Sequence, residues 1–98
     1  MNQHVEQMIT NLGAMIESNQ VLKTALSRCD DDKAHEAISV MLMQAMALFG
    51  AESVAMKRFF PVMDVIKQRI DNLDLEGALR QAETFELQLI EIQQLMKQ

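Results

Sequence analysis

Cys29 and His35 are the two residues whose types could together support nucleophilic catalysis. A cysteine–histidine dyad requires the two side chains within hydrogen-bond reach and a third group that orients the imidazole. The spacing instead predicts that Cys29 ends one helix and that His35 lies in the first turn of the next. No family signature surrounds the cysteine. We therefore interpret Cys29 as a small residue packed on a helix seam and His35 as a surface residue, and we expect no enzymatic activity.

Three consecutive aspartates, Asp30, Asp31 and Asp32, could suggest a divalent cation. A calcium loop requires alternating oxygen ligands, a glycine at the sharp turn and a distal bidentate glutamate. The aspartates follow one another directly and no glycine comes after them. Aspartate is also a good helix N-cap, and carboxylates in a first turn interact favourably with the helix dipole. We predict a helix start here, with no metal and no other cofactor.

A phosphoacceptor histidine on a four-helix bundle would indicate a phosphorelay module, in which the pattern His-x-x-Lys-Gly is typical. His35 is followed by residues 36–39, Glu-Ala-Ile-Ser, and His4 by residues 5–8, Val-Glu-Gln-Met. Neither histidine matches the pattern, so we rank a phosphorelay-type module below a binding function.

Lys57 and Arg58 stand next to Phe59 and Phe60, a combination that could bind single-stranded nucleic acid by phosphate contacts and stacking. Both phenylalanines also fall within an apolar helical stripe, whose edge the two cations would cover. The net charge of −5 argues against general affinity for phosphates. We predict no nucleic-acid partner.

The nine methionines among 98 residues are the most informative feature of the composition. Methionine is flexible and polarizable, and it is frequent on surfaces that accommodate varied partners. In the segment 40–49 only Gln44 is polar. A helix that is apolar all round is buried on most sides, so this one is either central or covered by a second chain. The predicted partner-binding residues are Met41, Met43, Met46, Phe49, Met56 and Phe60.

The elements that position these residues are helices, because apolar residues recur at steps of three and four along most of the chain. Ala, Leu, Met, Gln, Glu and Ile dominate and aromatics make up only 4%, which is typical of helical proteins. The predicted helices span about 3–28, 31–49, 51–71 and 74–97, within one domain, residues 1–98. Short connections place neighbouring helices antiparallel. The fold class is therefore all-α, either a four-helix bundle or two helical hairpins that complete a bundle by dimerising. The apolar seam of the first helix comprises Val5, Met8, Leu12, Met15, Asn19, Leu22, Leu26 and Cys29.

Three residues predict local departures from regular helix. Pro61 should kink or split the third helix, because proline removes a backbone donor and clashes with the carbonyl four residues back. Asn19 either specifies register and oligomeric state from a seam position or caps a second helix after a break at 18–20. Gly50 is placed to end the second helix in the αL conformation.

A weak internal repeat aligns residues 22–34 with residues 66–78, at an offset of 44. It could reflect two related helix–loop–helix units. It could also arise from any two amphipathic helices with acidic caps, which we prefer because helical repeats need about three copies to form a stable stack.

No apolar run approaches the ~18–20 residues that cross a bilayer, and residues 1–10 lack the pattern of a signal peptide. With a single cysteine there is no internal disulfide. We expect an acidic, cytoplasmic protein that does not bind membranes.

The predicted function is a non-enzymatic protein–protein interaction module. It would act as an adaptor or small chaperone that holds an amphipathic helix of a client in the methionine-rich groove. The alternative is a structural homo-oligomeric subunit, such as a homodimer, in which the same surface contacts a second copy. Leu87 and Ile90 form a second, smaller apolar patch.

Overall fold

In the computed structural model, which describes residues 2–98, the chain forms a bundle of four helices. They are α1 (Gln3–Ser27), α2 (Asp31–Phe49), α3 (Val54–Asp71) and α4 (Leu75–Met96). α1 packs against α2 and α4, and α3 packs against the same two helices, so each helix has two neighbours and one outward side. The predicted all-α class is confirmed. None of the four helices is both long enough and apolar enough to cross a membrane.

The helices begin where polar side chains satisfy their first amides. Asp30 caps α2, as the sequence predicts, while Asn2, Ser53 and Asp74 cap α1, α3 and α4. The Ser53 hydroxyl accepts a hydrogen bond from the Met56 amide at 3.0 Å. Because of this cap, α3 starts three residues later than the apolar pattern suggested.

The core consists of residues spaced three and four apart on each of the four helices, which meet along the bundle axis. Phe59 lies at its centre, edge-on to Phe49 at 5.6 Å and to Phe85 at 5.7 Å between ring centroids. Asn19 is the fully buried polar residue of the α1 seam. The buried apolar residues are Leu12, Met15, Leu22, Ala25, Leu26, Ala34, Ile38, Met41, Ala45, Met56, Phe59, Met63, Ile66, Ile70, Ala78, Ala82, Phe85 and Leu89.

Two predicted interruptions do not occur. α1 runs without a break through residues 18–20, so Asn19 is a seam residue and not a cap. α3 likewise continues through Pro61, and the prediction of a split is wrong. The ring of Pro61 is exposed, whereas Phe59 and Met63 on either side of it are buried. Core packing on both sides of the proline therefore holds the helix together.

Two residues at helix ends differ in conformation from their predictions. Cys29 is exposed and lies beyond the end of α1 with φ +55°, so its placement on the buried seam is wrong. The seam stops at Leu26 because the chain turns immediately afterwards to reach the cap of α2. Gly50 ends α2 with φ +86°, a value that favours glycine, but its ψ of 136° lies outside the αL region.

The α1–α2 and α3–α4 connections are the same turn, 44 residues apart. Cys29 and Leu73 both have positive φ, +55° and +59°. In each turn the following aspartate, Asp30 or Asp74, donates its amide to the carbonyl five residues earlier, at 2.9 and 2.8 Å.

The buried positions of the two hairpins coincide at the same offset. They pair as Leu12 with Met56, Met15 with Phe59, Asn19 with Met63, Leu22 with Ile66, Leu26 with Ile70, Ala34 with Ala78, Ile38 with Ala82, Met41 with Phe85, and Ala45 with Leu89. The 44-residue alignment therefore corresponds to two helix–loop–helix units with the same turn and nine matching core positions.

Candidate protein-binding surface

The outward side of α2 carries large apolar side chains that no other helix covers. Val40, Met43 and Met46 are 53%, 72% and 49% exposed. Residues three and four apart are neighbours on a helix surface, so these three and Ala47 form one continuous strip. Phe60 of α3, 47% exposed, extends the strip beside Met46. We call these five residues the α2 surface.

α2 itself is not central in the bundle. It packs against α1 and α3, and its remaining side faces outward. Of the two explanations for an all-apolar segment 40–49, burial at the centre of the bundle is therefore wrong for a single chain. Coverage by another chain stays a prediction.

The six predicted partner-binding residues divide between surface and core. Met43, Met46 and Phe60 belong to the α2 surface. Met41 is completely buried, because it continues the inward-facing series of Ile38 and Ala45. We therefore assign Met41 to the core and no longer include it in the binding site.

Phe49 and Met56 lie between the core and the α2 surface. Phe49 is half-buried and packs edge-on against Phe59, so its ring mainly supports the core. Met56 is 4% exposed and contributes to the floor of a groove between the end of α2 and the start of α3. This groove encloses about 400 Å³ and is lined by Met46, Ala51, Met56, Lys57, Phe60 and Pro61. Its walls are apolar except for Lys57.

A second groove, of about 510 Å³, lies between α1 and α2 on the other side of the α2 surface. Val21, Ala25, Ala37 and Val40 supply its apolar residues, and Val40 belongs to the α2 surface as well. Sequence reasoning missed this groove. In the sequence, Val21 and Val40 stand out only as apolar residues outside the three- and four-residue pattern of their helices. That they line one groove depends on how α1 packs against α2.

The α2 surface differs in charge from the equivalent side of the second hairpin. Leu87 of α4 is the equivalent of Met43 and is 68% exposed, close to the 72% of Met43. The neighbours of the two residues differ in charge. Residues 81–95 of the second hairpin include three glutamates, whereas the equivalent residues 37–51 include no charged side chain. Single exposed apolar residues are common on protein surfaces, but contiguous apolar strips mark interaction sites. The α2 surface is contiguous, because Val40, Met43 and Met46 are exposed at successive turns of α2.

Charged side chains stand at both ends of the α2 surface. Glu36 lies one turn before Val40, and Lys57 lines the groove next to Met46. Both are exposed, and neither takes part in an ion pair within residues 2–98. Glu36 at one end of the strip and Lys57 at the other therefore differ in charge and are unpaired within residues 2–98, and Arg28 and Lys33 line the same groove as Glu36.

The structure places His35 beside Asp71 and Cys29 in the turn between α1 and α2. The imidazole Nε2 of His35 lies 2.7 Å from a carboxylate oxygen of Asp71, an interaction that ties the start of α2 to the end of α3. Cys29 is exposed in the turn. Within residues 2–98 no three or more His, Cys, Asp or Glu side chains are grouped so that they could hold a metal ion.

Comparisons of the chain with protein families, curated proteins and solved structures found no significant match. The function must therefore be argued from the surface itself.

Proposed function

We propose that this protein is a non-enzymatic interaction module, an adaptor or small chaperone, whose α2 surface holds an amphipathic helix of a client protein. The observation that supports this most directly is the charge-free segment 37–51, whose outward side leaves Val40, Met43 and Met46 exposed at successive turns. The equivalent side of α4 is interrupted by glutamates.

The α2 surface has the form that a helical ligand requires. An amphipathic helix binds through side chains at i, i+3 or i+4, and i+7 in an apolar groove. The strip of Val40, Met43 and Ala47 on α2, with a groove on either side, offers an elongated apolar surface to those side chains. Transfer of one methionine or valine side chain from water to a full contact contributes roughly 1.5–3 kcal/mol. Flexible thioether side chains at Met43 and Met46 can adapt to more than one ligand sequence.

A structural homo-oligomer remains the alternative function, since the same surface could close against a second copy. The two functions differ in what contacts Met43 in the cell. In a purely structural subunit that contact is always another copy of this chain, whereas an adaptor or chaperone also contacts a different protein.

Photo-crosslinking from single positions tests the proposal. A photoreactive amino acid is placed at position 43, and in a matched variant at position 87, in the cells that produce the protein. Leu87 is the right control because it is equally exposed and occupies the equivalent position of the other hairpin. We expect illumination to attach a discrete second protein at position 43 and none at position 87, with the partner identified by mass spectrometry.

The proposed function fails if position 43 gives no discrete adduct, or the same adducts as position 87. It also fails if the only adduct has twice the chain mass of 11.2 kDa and consists of this protein alone. That last outcome would establish the structural homo-oligomer.

A further inference from the structure

Building on the proposed role of the α2 surface as a helix-docking site, we infer that a second copy of this chain occupies it when no client is bound. The two α2 helices lie antiparallel, related by a two-fold axis that passes beside Met43. The dimer would protect the apolar strip, and a client helix would compete for it.

The first argument is the symmetry of the strip about Met43. Val40 precedes Met43 by three residues and Met46 follows it by three, and the two side chains are 53% and 49% exposed. Glu36 and Gly50 lie seven residues, about 10 Å along the helix, before and after Met43. A two-fold interface is isologous, so the same surface must complement itself. With the axis at Met43, the two Met43 side chains face each other and Val40 of each copy lies over Met46 of the other.

The second argument is charge complementarity at the two ends. The same axis places Glu36 of one copy over Gly50 of the other, at the end of α2 where Lys57 lines the groove with Met46 and Ala51. Glu36 and Lys57 are exposed and make no ion pair within residues 2–98. The antiparallel dimer therefore forms this pair twice.

Charge repulsion argues against two other dimers, a parallel one through α2 and an antiparallel one through α4. A parallel pairing of α2 helices would bring Glu36 against Glu36 and Lys57 against Lys57, and juxtaposed like charges oppose association. An equivalent antiparallel dimer through α4 would be centred on Leu87. It would bring Glu83 of one copy against Glu91 of the other, since the two glutamates lie four residues on either side of Leu87.

Sedimentation equilibrium over a wide concentration range, at low ionic strength, tests the dimer and its geometry with full-length variants. We expect the wild-type protein and Leu87→Asp to dimerise alike, and Met43→Asp to stay monomeric with an unchanged helical circular dichroism spectrum. Glu36→Lys and Lys57→Glu should each raise the dimer Kd about tenfold, since each replaces two attractive pairs by repulsive ones. The double variant restores both pairs and should return the Kd to near the wild-type value.

A wild-type chain that is monomeric at every concentration would overturn the inference. A double variant that dimerises no better than the single variants would overturn the antiparallel arrangement. Neither result touches the proposed function, which depends on a second protein at position 43 in cells. Conversely, self-association with no such second protein would support the dimer and contradict the proposed function.

Discussion

Asn19 is a buried polar residue whose side-chain amide is only partly hydrogen-bonded. Its Nδ2 donates to the Ala82 carbonyl of α4 at 2.8 Å, whereas its Oδ1 is buried without a hydrogen-bond partner among residues 2–98. A buried acceptor without a partner costs about 1–3 kcal/mol. The equivalent position of the second hairpin holds Met63, also fully buried, so the fold accepts an apolar side chain there. We interpret Asn19 as a residue that fixes the register between α1 and α4.

Asn19→Leu should therefore raise the free energy of unfolding by about 1 kcal/mol, since it removes the unpaired oxygen and keeps the branching and number of side-chain heavy atoms. That change corresponds to a melting temperature about 4–8 °C higher for a domain of this size. Asn19→Asp is the control and should be strongly destabilised, because it loses the donor to Ala82 and buries a charge. Thermal and urea unfolding followed by circular dichroism measure both. Lower stability of Asn19→Leu would show that the amide makes a net stabilising contribution.

Met41 and Met43 mark the limit of what residue types can predict. Both are methionines in the same apolar segment, yet Met41 is fully buried and Met43 is 72% exposed. Two residues along a helix turn the side chain by about 200°, so the two must point to opposite sides. When every side of the segment is apolar, the sequence does not mark which side meets the core. That is why half of the predicted binding residues proved to be core or groove-floor residues.

At the scale of the elements, the turn between α3 and α4 depends on Asp74. Its carboxylate accepts hydrogen bonds from Arg69 Nη1 at 2.7 Å and from the Gly77 amide at 3.0 Å. The Arg69 guanidinium, and then the Gly77 amide, hold the pKa of Asp74 below its ordinary value of 3.8. Gly77 allows this cap because a Cβ at that position would collide with the Asp74 carboxylate.

Asp74 should consequently contribute to the acid sensitivity of the fold. Because its pKa is lowered on folding, its stabilising contribution is present above pH 3.8 and is lost as the pH falls through the folded-state pKa. Asp74→Asn keeps an N-cap acceptor for Gly77 but carries no charge for Arg69. Urea unfolding at a series of acidic pH values should show a shallower loss of stability for this variant than for the wild type.

Asp30→Asn is the matched control, since Asp30 caps α2 at the equivalent position but makes no ion pair within residues 2–98. It should retain the wild-type pH dependence. If Asp74→Asn keeps the full acid sensitivity as well, the Arg69–Asp74 pair does not contribute to it.

The existence and order of the helices could be predicted because three- and four-residue spacing identifies the buried side of each. The cap at Asp30 was predictable as well, because an aspartate side chain accepts hydrogen bonds from the first amides of a helix. Whether Pro61 splits α3 was not predictable, because the continuity of the helix there depends on the burial of Phe59 and Met63 against the other helices. Local sequence reports the strain of a proline but not the packing that holds its helix together.

At the scale of the whole molecule, the protein is two equivalent hairpins whose cores match and whose outer sides differ. The core positions coincide at an offset of 44, whereas the side centred on Met43 is apolar and the one centred on Leu87 is rimmed by glutamates. The bundle needs neither outer side for its own stability, because both lie away from its core. This difference agrees with the partner proposed for the α2 surface. The composition of the α2 surface was visible in the sequence, but its exposure and its two flanking grooves required the packing of the helices.

Hydroxyl-radical footprinting tests this account most directly, by comparing side-chain oxidation in dilute purified protein with oxidation inside the producing cells. The central claim predicts that Met43 oxidises severalfold more slowly in cells, because another protein covers it, while Leu87 oxidises at the same relative rate in both settings. If Met43 is as accessible in cells as in the dilute protein, the α2 surface is bare and the claim is wrong.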